Sequence, residues 1–362
     1  MTDLHYPFST PPEPGDWLPV ADGVYWLRMS LPMALDHINL YVLDDEDGWW
    51  IIDTGMGLDS TQEAWERLFA DKMSAKPVKG IIVTHMHPDH VGQAGWLCDK
   101  WRAPLYMSFG EYYNARAFST MTRDTLGWTT RQYYHQAGLT TEYLDQMRAK
   151  FRGFGSIVEP VPMAYNRLRE GDVLHIGGRE WQVMIGSGHS PEHVCLFNTR
   201  DNLLFSGDQI IPRITSNISV MAVEPNANPL QDWFDSLARF QRDLPAETLV
   251  FPAHNTPFTG VQARLQYLVD HHEDHLQAVE EACLTPRKAV EMLPVLFSRE
   301  IDSSQMSLAL GEAVAHLNYL VTAGRLVREL DEQGVNVYTV VDESVRDRQG
   351  RAHSKDPAPM EV

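Results

Sequence analysis

The chain has 362 residues, 43% of them hydrophobic, with ten tryptophans and a formal net charge of -19. That length suits one large domain or two modest ones with a sizeable core. The acidic balance repels phosphate backbones and disfavours nucleic acid as a partner. Three cysteines, Cys98, Cys195 and Cys283, are too few and too scattered for a disulfide framework. They fit a reducing compartment, and a cytoplasmic protein is expected. The first residues, "MTDLHYPFSTPPEPGDW", show neither the basic nor the apolar region of a signal peptide. With no run of 18 apolar residues, no membrane span is expected.

Residues 1–19 are rich in Pro and polar residues and predict an extended arm. Apolar runs at 24–29 ("VYWLRM"), 38–43 ("INLYVL") and 48–53 ("GWWIID") predict a strand meander, with "DDEDG" as a hairpin turn. An amphipathic helix is predicted from Asp59 to Asp71, then a short buried strand at 78–84. That strand leads into "THMHPDH" at 84–90. A helix ("VGQAGWLCDKW") and a strand ("APLYM") follow.

Residues 108–165 are dense in aromatic, Arg and Met residues at helical spacing. Strand patterns resume with "DVLHIGG", "EWQVMIG", "HVCLFN", "NLLFSGD" and "ETLVF". The last part reads as a helix from Pro286 ("PRKAVEMLPVLF"), a helix from Met306, and a strand pair turned by "DEQG". That outline is winged-helix-like and is assigned to residues 281–345. Residues 346–362 predict a disordered tail.

In the 84–90 run, His85 and His87 lie two apart on a loop leaving a strand and can converge on one point. Asp89 and His90 are adjacent and can serve a second point. Pro88 stiffens the loop, and the helix expected just after it puts a positive dipole end nearby. Three further candidates sit at strand ends: His189 in "GSGHSPEH", Asp208 in "LLFSGDQ" and His254 in "VFPAHN". A His or Asp recurring at strand ends is what a site on one rim of a sheet requires.

This set resembles the metallo-β-lactamase superfamily, whose mark is H-x-H-x-D-H followed by a His, an Asp and a His. "DTG" at 53–55 matches it too. The resemblance covers about residues 20–270. It implies an α/β four-layer αβ/βα sandwich over 20–280, with residues 108–165 inserted as a helical cap. It also implies two metal ions, zinc first and iron or manganese as alternatives. His85, His87 and His189 would hold one; Asp89, His90 and His254 the other; Asp208 would bridge. Asp at the bridging position resembles the glyoxalase II and lactonase branch. Many relatives read G-H-G at the last ligand, where this chain has Ala253-His254-Asn255.

Two cations about 3.5–4 Å apart share a water and lower its pKa to about 7, so the implied nucleophile is hydroxide. Asp89 and Asp208 are the catalytic candidates for orienting or shuttling the proton. The implied reaction is hydrolysis of a carbonyl ester, a thioester of the acyl-CoA or acylglutathione type first and a lactone second. The alternatives are a phosphodiesterase or endoribonuclease of the same fold and a non-catalytic sensor. A homodimer is compatible with this reading.

Other residues carry weaker signals. His193 either supports a ligand or faces substrate. Tyr112, Tyr133, Tyr165 and Arg167 are the substrate-facing candidates of the insertion. Asp53 is expected to be a buried carboxylate beneath the metal loop, and Cys195 a core residue. "HHEDH" at 271–275 is not H-E-x-x-H, and a solvated helix face is expected there. Residues 281–345 hold five basic against ten acidic residues, net -5, the wrong sign for reading DNA.

Overall fold

Short connections between the first strands give an antiparallel start. The computed structural model describes residues 4–33, 35–121, 127–150, 153–303, 305–342 and 344. The expected tail at 346–362 lies outside the described residues. The chain divides into two compact units: 1–122, 152–213 and 240–264 in the first, and 123–151, 214–239 and 265–362 in the second.

The first unit carries two sheets. Strands β1 (Trp17–Ala21), β2 (Val24–Ser30), β3 (His37–Asp45) and β4 (Gly48–Ile52) run antiparallel. β5 (Val78–Ile82), β6 (Leu105–Met107) and β7 (Asn166–Arg167) then add in parallel. The switch follows from the connections. Hairpin loops such as Glu46-Asp47 force antiparallel pairing, whereas β4 reaches β5 through helix α1 (Asp59–Ala70). The second sheet holds β8 (Val173–Ile176), β9 (Arg179–Gly186), β10 (His193–Asn198), β11 (Leu203–Gly207) and β12 (Leu249–Pro252) in the order β12-β11-β10-β9-β8.

The faces of the two sheets share one apolar core. Trp26, Tyr41, Leu43 and Trp50 from the first meet Trp181, Leu196, Phe205 and Phe251 from the second. Tyr41 lies 5.1 Å from Phe205 and 5.5 Å from Phe251, ring centre to ring centre. Each such aromatic removes 150–250 Å² from water, so this layer dominates the stability of the unit. On the outer face, α1 buries Trp65 and Leu68.

The extended arm expected over 1–19 is corrected at both ends. Trp17 opens edge strand β1, where it stacks on Tyr25 at 4.1 Å, and His5 bridges to Thr259. Proline-rich spacing hid a strand held by aromatic packing instead of alternation.

The second unit contains α5 (Trp128–Gln136), α6 (Thr141–Lys150), α10 (Met306–Thr322) and a hairpin of β13 (Leu326–Leu330) and β14 (Asn336–Val340). The helix expected over 286–297 is broken. Ala289–Met292 forms a 3-10 turn and Leu293–Leu296 a single helical turn, α9. Pro294 sits in the first turn of α9, where a helix accepts it, and blocks a longer helix running through. The segment 108–165 does not stay together: α4 (Phe109–Ser119) belongs to the first unit, and α5 and α6 to the second.

Candidate metal centre

All seven sequence candidates follow the carboxyl ends of strands. β5 leads to His85–His90, β9 to His189, β11 to Asp208 and β12 to His254. The structure gathers them into two adjoining groups: His85, His87, His189 and Asp208, and Asp89, His90 and His254. The short helix α2 (Pro88–Val91) begins inside the motif, with His87 preceding its first turn. The expectation of a helix starting just after the motif is therefore corrected by three residues. That turn carries Asp89 and His90 into the second group, although the His90 ring still lies 3.9 Å from that of His85.

Asp208 spans the groups. Its Oδ2 lies 3.3 Å from His189 Nε2 and 4.0 Å from His85 Nε2, while its Oδ1 lies 3.4 Å from His254 Nε2 and 3.5 Å from His90 Nε2. Asp89 Oδ2 stands 3.5 Å from His254 Nε2. Within the first group, His85 Nε2 approaches His87 Nδ1 to 2.9 Å and His189 Nε2 to 3.3 Å. Three ring nitrogens facing one another cannot all be satisfied by protons they share. Among the described residues, buried His90 Nε2 has no hydrogen-bond partner. A tetrahedral cation with Zn–N distances of 2.0–2.1 Å holds its ligand nitrogens about 3.3 Å apart. Five imidazoles and two carboxylates, spaced this way, fit divalent metal binding.

Electrostatics separates the halves. At His85 and His87, burial and then the neighbouring imidazoles push the pKa well below the usual histidine value. At His90, burial acts the same way but is outweighed by Asp53, Asp89 and Asp208, and the pKa rises well above it. At His254 burial is likewise outweighed, by Asp208 and Asp89. Burial alone would raise Asp208, yet His254 and His90 hold it well below the carboxylate range. The carboxylate side thus attracts positive charge, which bound cations would provide.

The supporting residues lock the ring orientations. Asp53 Oδ1 accepts from the Thr84 amide at 2.7 Å; its Oδ2 accepts from Thr84 Oγ1 at 2.9 Å and His90 Nδ1 at 2.8 Å. His90 therefore turns Nε2 toward the carboxylates. His254 Nδ1 donates to the His37 carbonyl at 2.8 Å, which sets its Nε2 the same way. Asn255 has φ +67, a conformation Asn tolerates. Its amide donates to His37 Nε2 at 2.9 Å, and its carbonyl accepts from Asn39 and Arg28. The loop keeps a left-handed turn without glycine.

His193 lies beneath the centre, fully buried, and does not face a substrate space. Its Nε2 accepts the Asp208 amide at 3.0 Å, and its ring stacks on His85 at 4.6 Å. Burial pushes its pKa down to about 3, so it stays a neutral acceptor. Gly207 makes room for it: with φ +50, a Cβ there would lie 2.5 Å from His193 Cε1.

Glu111 carries no signal in the sequence. Its fully buried carboxylate accepts from the Met86 amide at 2.9 Å and the Glu192 amide at 2.8 Å, tying the first metal loop to the His189 loop. Only the tertiary pairing of two loops about a hundred residues apart exposes that role.

Three of the four substrate-facing candidates gather around helix α4, and Tyr133 lies apart. Tyr112 is buried, its hydroxyl within 2.9 Å of the Pro162 and Met163 carbonyls. Tyr165 stacks on it at 3.8 Å. Arg167 is exposed and lies over the Phe109 ring at 4.8 Å. Tyr133 belongs to the second unit, where its buried hydroxyl donates to the Val220 carbonyl at 2.7 Å. The solvated face expected for 271–275 is also overturned: His271, His272 and His275 are all buried.

A family model described as "Metallo-beta-lactamase superfamily" matches residues 34–254, and one described as "Metallo-beta-lactamase-like, C-terminal domain" matches 276–341. A beta-lactamase domain protein from Burkholderia ambifaria, solved by crystallography, is 43% identical with a TM-score of 0.87, covering 93% of this chain and 98% of that one. The probable metallo-hydrolase YqjP of Bacillus subtilis is 24% identical over 83% of this chain and 92% of its own. The bovine acyl-coenzyme A thioesterase MBLAC2 is 26% identical over 53% of this chain and 64% of its own. The two-sheet sandwich, the clustered strand-end ligands and the family match agree, and this chain belongs to the metallo-β-lactamase superfamily as a metal-binding hydrolase.

Proposed function

We propose that this hydrolase cleaves acyl thioesters with two zinc ions held by the seven clustered residues. Bound divalent metals supply Lewis-acid activation of water and of the substrate carbonyl oxygen. His85, His87 and His189 would hold one ion, and Asp89, His90 and His254 the other. Asp208 would join them, since its Oδ2 faces the first group and its Oδ1 the second. Asp89 has 16% of its side chain exposed against 9% for Asp208, and is the carboxylate placed to pass a proton to solvent.

The observation that carries the thioester reading is an exposed aromatic and cationic rim beside the His189 loop. Phe109 and Tyr113 are 46% and 52% exposed, with Tyr165 and Arg167 next to them. Helix α4 brings this rim to the centre: Gly110 donates to Glu192 Oε2 at 2.7 Å and Ser108 Oγ to the Glu192 carbonyl at 2.6 Å. Flat apolar rings suit an acyl or pantetheine-like arm, and Arg167 suits its phosphate or carboxylate. The similarity to a thioesterase supports the same substrate class.

The test is a panel of acyl-CoA, S-acylglutathione, lactone, β-lactam, phosphodiester and RNA substrates with zinc-loaded protein. Thioester turnover is expected to be fastest, and Arg167→Glu is expected to raise KM for acyl-CoA about tenfold with kcat little changed, the loss of one charge-assisted contact. Cleavage of phosphodiesters or RNA with thioesters untouched would overturn the proposal. So would a zinc-loaded protein inert to the whole panel.

A further inference from the structure

The second unit contains a cluster of imidazoles that the hydrolytic centre does not use. Helix α8 (Val261–Ala282) carries His272 and His275, three apart and so on one face, and α10 carries His316. One ring nitrogen of each lies within 4.8 Å of those of the other two. All three are buried, His272 and His316 completely.

Their polar atoms are poorly used by the protein. His316 Nδ1 donates to the Glu312 carbonyl at 2.8 Å, which leaves the lone pair on Nε2. That nitrogen faces His272 Nδ1 at 3.4 Å, a long contact for a hydrogen bond. It matches the spacing of about 3.3 Å between nitrogens on a tetrahedral zinc. Among the described residues, His272 Nε2 and His275 Nδ1 have no hydrogen-bond partner. Trp233 and Phe234 stand edge-on to the His272 ring at 6.4 and 6.2 Å, so the pocket wall is apolar. A core position that only needed filling would be better served by Leu or Phe, because each buried imidazole nitrogen left unpaired costs stability.

We propose that His272, His275 and His316 form a third metal site, structural in role, taking one zinc-class transition ion and clamping α8 to α10. An all-imidazole donor set selects zinc, nickel, cobalt or copper over magnesium and calcium, which require oxygen ligands. Three protein ligands leave the fourth position to an exogenous ligand. Burial also holds His275 near a pKa of about 4 and His316 about 3, so both are neutral and able to ligate at pH 7.

The test separates this site from the hydrolytic centre. A full-length chain carrying His87→Ala, Asp208→Ala and His254→Ala is dialysed against micromolar free zinc, and bound zinc is counted. One equivalent per chain is expected, lost when His272→Gln and His316→Gln are added. Zinc, but not magnesium or calcium, is expected to raise the Tm of the triple variant. In the unaltered chain the same site appears as a third zinc equivalent, absent from His272→Gln/His316→Gln protein that keeps its hydrolytic activity. Fewer than half an equivalent in the triple variant, no third equivalent in the unaltered chain, or zinc retained after the Gln substitutions would overturn the proposal.

Discussion

Replacing Asp53 by Asn tests the support of the metal centre with almost no change of shape. Asp53 is buried and sits at φ +60, a conformation Asn adopts readily, so the backbone accepts the change. Its two carboxylate oxygens serve three donors: the Thr84 amide, Thr84 Oγ1 and His90 Nδ1. Asn has one oxygen and one NH2. If the oxygen stays on the Thr84 amide, the NH2 faces the N–H of His90. His90 must then move its proton to Nε2, the nitrogen that faces Asp89 and Asp208 at 3.8 and 3.5 Å. The lone pair offered to the metal is lost, or the ring turns away. Outer-shell changes of this kind weaken metal binding by about 10–100-fold, or about 1.4–2.7 kcal/mol. The loss should fall on the Asp89/His90/His254 group alone. Zinc competition against a chelator is expected to show one of the two hydrolytic-site equivalents weakened and the other unchanged, with turnover falling in step. Two affinities within twofold of the unaltered chain would refute the reasoning.

Glu111→Gln puts an NH2 against either the Met86 or the Glu192 amide and should cost about 1–3 kcal/mol in denaturant unfolding, with slower turnover through displacement of both loops. Asn255→Gly is expected to leave metal content unchanged, whereas Asn255→Val, β-branched at φ +67, should destabilise the fold by about 1–3 kcal/mol and loosen the His254 loop. Burial pushes the Cys98 and Cys283 thiols up to about 12, so neither should be alkylated by iodoacetamide at pH 8 in the native protein, while both should react in guanidinium.

Much of the architecture was legible because it is local. Alternating and apolar runs located the strands around Tyr41, Trp181 and Phe205, and all seven proposed ligands follow the ends of such strands. Other features resisted for physical reasons. β1 lacks alternation, since its burial comes from Trp17 stacking on Tyr25. The 286–297 helix yields to Pro294, a cost that the local apolar pattern conceals.

The order and types of the seven proposed ligands are properties of the chain itself. Each needs only its own strand end, so the sequence could nominate them, and the fold brings them together. Tertiary structure alone decided what lies between and behind them: that Asp208 offers one oxygen to each group, that His193 supports its amide, and that Glu111 joins two loops. It also decided that the histidines of 271–275 are inside. Whether a helix face is wet depends on the helix packed against it, and His316 lies more than forty residues away along the chain, beyond the reach of any local pattern.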